Sequence, residues 1–106
     1  MTNVLINAPK TAKPGEIVEI KALILHPMET GFRPGTSGRI IPRNIIERFV
    51  ATWNGAEIFN MALSPAIAAN PFVSFFAVAK ESGTIGFRWT GDEGFLVEEK
   101  VAITVG

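Results

Sequence analysis

The chain has 106 residues, of which 47% are hydrophobic and 19% charged, a composition that excludes intrinsic disorder and predicts a single domain over residues 1–106. Ten basic residues balance ten acidic ones, so the chain lacks the positive field of nucleic-acid-binding proteins, and we expect no nucleic-acid partner. Cysteine is absent, which excludes disulfides, thiolate nucleophiles and cysteine-ligated metals.

The N-terminal sequence MTNVLINAPK lacks the basic start and the long apolar segment of a secretory signal, so we expect no signal in this chain. No apolar run approaches the ~20 residues that span a bilayer, and we expect no membrane partner. A short first strand is predicted over Val4–Asn7. The proline-rich stretch that follows, APKTAKPGE, is typical of a segment that protects an edge strand from unwanted pairing.

The remaining apolar residues mostly follow the two-residue period of β-strands. In the strand EIVEIKALIL, the inward face is predicted to consist of Val18, Ile20, Ala22 and Ile24. Five further strands are predicted at IIERFVATW, AEIFNMAL, FVSFFAVAK, TIGFRWT and VEEKVAITV, with a type I′ turn at Asn54–Gly55. The only helical turn is expected within Ser64–Pro71. About seven strands joined by turns predict an all-β fold, an antiparallel immunoglobulin-like β-sandwich.

His26 is the only histidine and allows three interpretations. A catalytic base needs a nucleophile or an acid within reach, and the spacing of the serines and of the single aspartate supports no such set, so we expect no catalytic residues. A metal site would use His26 with Met28 and Glu29, a combination that suits copper but lacks a second histidine. The favoured interpretation is structural: Pro27 ends the strand at this point. We therefore expect no metal and no cofactor.

The segment from Gly31 to Arg43 is long, aperiodic and free of acidic residues, and such loops are often functional. It contains Arg33, Arg39 and Arg43. The turn and strand over residues 91–99 carry four carboxylates, so the neutral total hides one basic and one acidic region. A solvated loop explains any single charge, but the three arginines together are predicted to attract an anion or an acidic partner.

The strand before His26 is apolar on both faces at its end, because Leu23 and Leu25 follow Glu19 and Lys21 on the outer side. Something must cover this second face. Either the loop over residues 27–42 folds back with Phe32 as the cover, or a partner protein binds there. We favour the partner, whose predicted contacts are Leu23, Leu25, Phe32, Arg33, Arg39 and Arg43.

Four stretches carry a resemblance to one family: GEIVEIKALILHPMETGFR, IIPRNII, FNMALSPAIAANPFVSFFAVAKESGTIGFRWTGDEG and KVAITV. They resemble SoxZ, a subunit family of the thiosulfate-oxidising Sox system, over nearly the whole chain from Pro14 to Val105. The resemblance implies an immunoglobulin-like sandwich that pairs with SoxY. SoxY carries sulfur intermediates on a cysteine near its C-terminus and presents them to the other Sox enzymes.

The resemblance also implies a periplasmic location, reached by export together with the partner that has the signal. Three functions remain open, the first of them on the resemblance alone. They are a non-catalytic subunit of a heterodimeric sulfur carrier, a free-standing β-sandwich binding module, and a small metalloprotein that uses His26 and Met28. The resemblance favours the first of these.

Overall fold

The structure, a computed structural model, describes residues 4–64, 67 and 69–106. All seven predicted strands are present, with an eighth between the first two. The strands are β1 Val4–Asn7, β2 Thr11–Ala12, β3 Ile17–Ile24, β4 Ile46–Trp53, β5 Ala56–Ala62, β6 Phe72–Val78, β7 Gly83–Gly91 and β8 Leu96–Val105. A short 3₁₀ turn, Asp92–Gly94, joins the last two strands. The helical turn predicted within Ser64–Pro71 falls partly on residues 65, 66 and 68, which lie outside the described part of the chain.

The strands form two sheets, which confirms an all-β sandwich. The three-stranded sheet has the order β1-β3-β6, and the five-stranded sheet has the order β2-β8-β7-β4-β5. One pair departs from the predicted antiparallel pattern, since β2 runs parallel to β8. The reason is that the chain crosses between sheets after β1. It pairs briefly with the far edge of the second sheet at β2 and returns to the first sheet as β3.

The inward faces of the two sheets form the hydrophobic core. The predicted inward residues of β3 are all buried, and Phe49 of β4 lies at the centre. The Phe49 ring is 5.0 Å from that of Trp89 in its own sheet and 6.1 Å from that of Phe75 in the opposite sheet. These contacts join the two layers, and they fix which face of each strand remains outside.

The hairpin between β4 and β5 has the turn that its sequence predicts. Asn54 and Gly55 both have positive φ, at 50° and 85°, as a type I′ turn requires. The Asn54 side chain also accepts a hydrogen bond from the backbone N–H of Thr84 at 2.9 Å. This second role ties the turn to β7.

Candidate partner-binding site

The outer surface of the three-stranded sheet carries two groups of apolar side chains. Opposed residues of an antiparallel pair project from the same face. At one end of this surface, Leu5 and Phe72 flank Leu23, and at the other end Ile17 opposes Val78. Together with Phe76, which opposes a glutamate, they form the docking face: Leu5, Ile17, Leu23, Phe72, Phe76 and Val78.

Most of the docking face is open to solvent. Leu23 is half-buried, and the other five side chains are between 46% and 68% exposed. At roughly 100 Å² for each side chain, the six present roughly 600 Å² of apolar surface, which equals the largest patches of typical monomers. Exposed apolar patches of this size usually mark interaction sites.

A polar strip separates the two apolar groups. Lys21 Nζ lies 3.8 Å from Glu19 Oε1, and Ser74 Oγ donates a hydrogen bond to Glu19 Oε2 at 2.9 Å. The Glu19 carboxylate is therefore already paired within the chain. A partner can cover the strip without leaving this carboxylate unpaired.

One border of the docking face is an unprotected sheet edge. Within the described residues, β6 pairs only with β3, in continuous register over seven residues, and its sequence FVSFFAV contains no charge. The other edges have features that discourage pairing, since β1 and β2 are short and the pairing of β5 is interrupted by a register shift. Edges without charge, proline or bulge readily pair with other chains. The border at β6 therefore adds to the evidence for a partner.

The structure places the predicted partner residues in two different regions. Leu23 lies in the docking face, and Leu25 follows it just beyond the end of β3 with 42% of its surface exposed. Phe32 does not cover these leucines, because it is itself 82% exposed. In the alternative to a partner, the loop was expected to fold back with Phe32 as the cover. Phe32 does not cover the outer face of β3, which remains open.

The predicted loop is an ordered arm. A bridge between Glu29 and Asn44 closes its base through two backbone hydrogen bonds of 2.8 Å, and a second bridge joins Pro34 to Ile40. A broad concavity on the arm is lined by residues 33–37 and 39–42. The arm presents Phe32 and Ile40 to solvent.

Carboxylates neutralise two of the three predicted arginines. Arg43 donates two hydrogen bonds to Asp92, of 2.9 and 2.7 Å, and these hold the pKa of the Asp92 carboxyl below its usual range. Arg33 likewise donates two hydrogen bonds to Glu29 and lowers the pKa of that carboxyl. The basic and acidic regions of the sequence therefore meet at Arg43 and Asp92. Among the described residues, Arg39 has no carboxylate within 4.0 Å.

His26 lies just beyond the end of β3, where it holds the base of the arm. Its side chain is buried, with Nδ1 accepting the backbone N–H of Met28 at 2.9 Å and the ring in a T-shaped contact with Phe95. The backbone N–H of His26 donates to the side-chain oxygen of Asn70 at 2.9 Å. Burial lowers the pKa of His26, and a hydrogen bond with the Asn44 side chain opposes this shift. The ring is a neutral structural group at pH 7.

The residues of the hypothetical metal site bond to other groups. Met28 has a φ of 52°, and its Sδ accepts the backbone N–H of Ile46 at 3.3 Å, while the third candidate, Glu29, pairs with Arg33. Over residues 4–64, 67 and 69–106, no group of three or more His, Asp or Glu side chains could hold a metal ion. This arrangement lends the metalloprotein interpretation no support.

Sequence reasoning missed five of the six members of the docking face. The available signal was β6, where Phe72, Phe76 and Val78 alternate with the buried Val73 and Phe75. A strand that is apolar on both faces needs a cover on both.

The docking face continues into an open groove between the edges of β5 and β6. The groove has a volume of about 620 Å³ and shares Ile17, Phe76 and Val78 with the docking face. Its opposite wall includes Trp53 and Ile58. The groove is mostly apolar and widely open, with Glu57, Lys80 and Glu81 among its lining residues, so it extends the surface that a protein partner could cover.

Comparison with known families identifies the chain. The family model described as sulphur oxidation protein SoxZ matches residues 6–102, which is nearly the whole chain. The chain belongs to the SoxZ family. No curated protein matches the sequence, so the SoxZ family model carries the assignment, and it confirms the resemblance seen in the sequence.

Solved structures share the fold of this SoxZ-family chain at low sequence identity. A superoxide reductase (neelaredoxin) from Ignicoccus hospitalis is 20% identical, with a TM-score of 0.72 over 97% of this chain and 80% of that chain. The sulfur carrier protein SoxY from Chlorobium limicola f thiosulfatophilum is 13% identical, with a TM-score of 0.69 over 97% of this chain and 78% of that chain. A CARDB domain from Pyrococcus furiosus, described in complex with di-metal ions, is 14% identical, with a TM-score of 0.57 over 100% and 94%.

These likenesses concern the fold alone. The family match alone places the chain among the proteins of the Sox sulfur-oxidation system. Within the described part of the chain, no helix has the length and hydropathy needed to cross a membrane.

Proposed function

We propose that this chain is the non-catalytic subunit of a heterodimeric sulfur carrier, in which a SoxY-like partner bears the reactive cysteine. The observation that carries the proposal is the docking face: on one sheet of this SoxZ-family chain, five large apolar side chains are exposed and a sixth, Leu23, is half-buried. The chain contains no cysteine of its own, so a carrier thiol must come from the partner.

In this proposal the partner covers the outer face of β1, β3 and β6. Side chains such as Phe72 and Phe76 form the apolar centre of the interface. The polar strip lies inside the same interface and keeps its own hydrogen bond from Ser74 to Glu19. The arm over residues 29–44 stays outside this interface. Its free Arg39 and exposed Phe32 remain accessible to the enzymes that act on the carried sulfur, which meet the carrier only transiently.

The proposed location is the periplasm, reached by export with the partner. In this proposal the signal of the SoxY-like partner directs the export of the pair. Fractionation of cells that express the chain with and without the SoxY-like gene tests this, because periplasmic recovery should require the partner. Equal periplasmic recovery without the partner would contradict joint export.

Co-expression with a SoxY-like subunit tests the proposed function. We expect a stable one-to-one complex, and after incubation with thiosulfate and the other Sox enzymes, sulfur adducts in the mass of the partner only. Leu23→Asp combined with Leu25→Asp should abolish the complex while the variant unfolds cooperatively. Adducts or thiosulfate turnover on the isolated chain would refute the non-catalytic role. If the double variant is folded and still binds the partner, the interface lies elsewhere.

A further inference from the structure

The central strand of the docking face has a pattern that is complementary to itself. The outward residues of β3 are, in order, Ile17, Glu19, Lys21 and Leu23, which read apolar, negative, positive, apolar. Reversing the direction of the strand gives apolar, positive, negative, apolar. A face with this order therefore matches an antiparallel copy of itself in both charge and polarity.

We propose that, in the absence of another partner, a second copy of this chain covers the docking face, and that the two copies form an isologous dimer. The two-fold axis lies in the interface between the two sheets, level with Ile20 of β3. It sets Lys21 opposite Glu19 of the second copy and Leu23 opposite Ile17 of the second copy. Parallel stacking would set Lys21 against Lys21, so the charges select the antiparallel arrangement.

The size of the surface fits a dimer. Stable interfaces bury roughly 800 Å² for each partner, and the six apolar side chains supply roughly 600 Å² of it. The polar strip adds to this area between the two apolar groups. The chain as a whole carries no net charge, so two copies do not repel each other through their overall fields.

The dimer uses the docking face but does not depend on a sulfur-carrying partner, so it goes beyond the proposed function. It gives the isolated chain a state in which its apolar face is covered. A partner that binds this face must compete with the second copy. The concentration of dimer therefore sets how much free face is available to that partner.

Charge reversal on β3 tests the dimer. Sedimentation velocity of the purified full chain, from micromolar to near-millimolar concentration, should show a reversible monomer–dimer equilibrium. Glu19→Lys and Lys21→Glu each set like charges opposite one another in two symmetry-related places, and each should weaken the dimer about tenfold. An equimolar mixture of the two variants should restore dimerisation, because a face with two lysines then meets a face with two glutamates.

Glu98→Lys and Lys100→Glu provide the matched control, since these exposed residues have the same spacing on the outer face of β8. They should leave the dimer unchanged, and thermal unfolding should confirm that all four variants are folded. A chain that stays monomeric, a dimer that survives both reversals on β3, or a mixture that fails to dimerise overturns the inference.

Binding to a SoxY-like subunit is measured separately. A monomeric chain that binds this partner overturns the dimer and leaves the proposed function intact. A charge-controlled dimer that binds no such partner supports the dimer and refutes the proposed function.

Discussion

The substitution Phe76→Ala tests partner binding with little effect on the stability of the fold. Phe76 is 66% exposed, so Phe76→Ala removes little packing, and we expect unfolding to become easier by no more than about 0.5 kcal/mol. Two-thirds of a side chain of roughly 200 Å² leaves about 130 Å² for a partner to cover. At about 25 cal/mol per Å² this burial contributes about 3 kcal/mol, which corresponds to a Kd roughly a hundredfold weaker in the variant.

Isothermal titration with the SoxY-like subunit measures this Kd directly. Leu96→Ala is the matched control, since Leu96 is 51% exposed but lies on the outer face of the other sheet. It should leave the Kd unchanged. If Phe76→Ala binds as tightly as the unmodified chain while Leu96→Ala binds weakly, the partner covers the five-stranded sheet and the docking face has been misassigned.

Two further residues give independent predictions. His26→Ala empties a buried site and removes the acceptor of the Met28 N–H, so urea unfolding should show a loss of about 2–4 kcal/mol, and an unchanged midpoint would contradict the role of His26. Burial lowers the pKa of His26 below 6.5. The unfolded chain therefore binds more protons just below pH 6.5, and stability should fall as the pH drops through this window, less steeply in His26→Gln. Arg39→Gln should slow association with acidic Sox enzymes in low-salt stopped-flow experiments and have little effect at high salt; equal rates at low salt would leave Arg39 without a steering role.

The sequence predicted those parts of the fold that depend on neighbours along the chain. The alternation in β3 and the Asn54–Gly55 turn are local patterns with a direct physical meaning, and the structure has both. The two-residue strand β2 was not predicted, because two residues show no periodicity. Its partners, Thr104 and Val105, are more than ninety positions away in the sequence.

The candidate site was less predictable because its pairs are distant in sequence. Arg43 and Asp92 are 49 positions apart, and His26 and Asn70 are 44 positions apart. Each residue is an ordinary polar or charged residue in its own segment. Only the folded chain shows that Asp92 pairs with Arg43 at the base of the arm and that, among the described residues, no carboxylate lies within 4.0 Å of Arg39.

The parallel pairing of β2 with β8 has a consequence for the order of folding. The β4–β5 hairpin closes over a two-residue turn and can form within microseconds of its synthesis. β2 must wait for Thr104 and Val105, its partners on β8, which follow it by more than ninety positions. The edge at β2 can therefore form only after β8 has been synthesised, and deletion of Thr104 and Val105 should leave the hairpins in place but remove this edge.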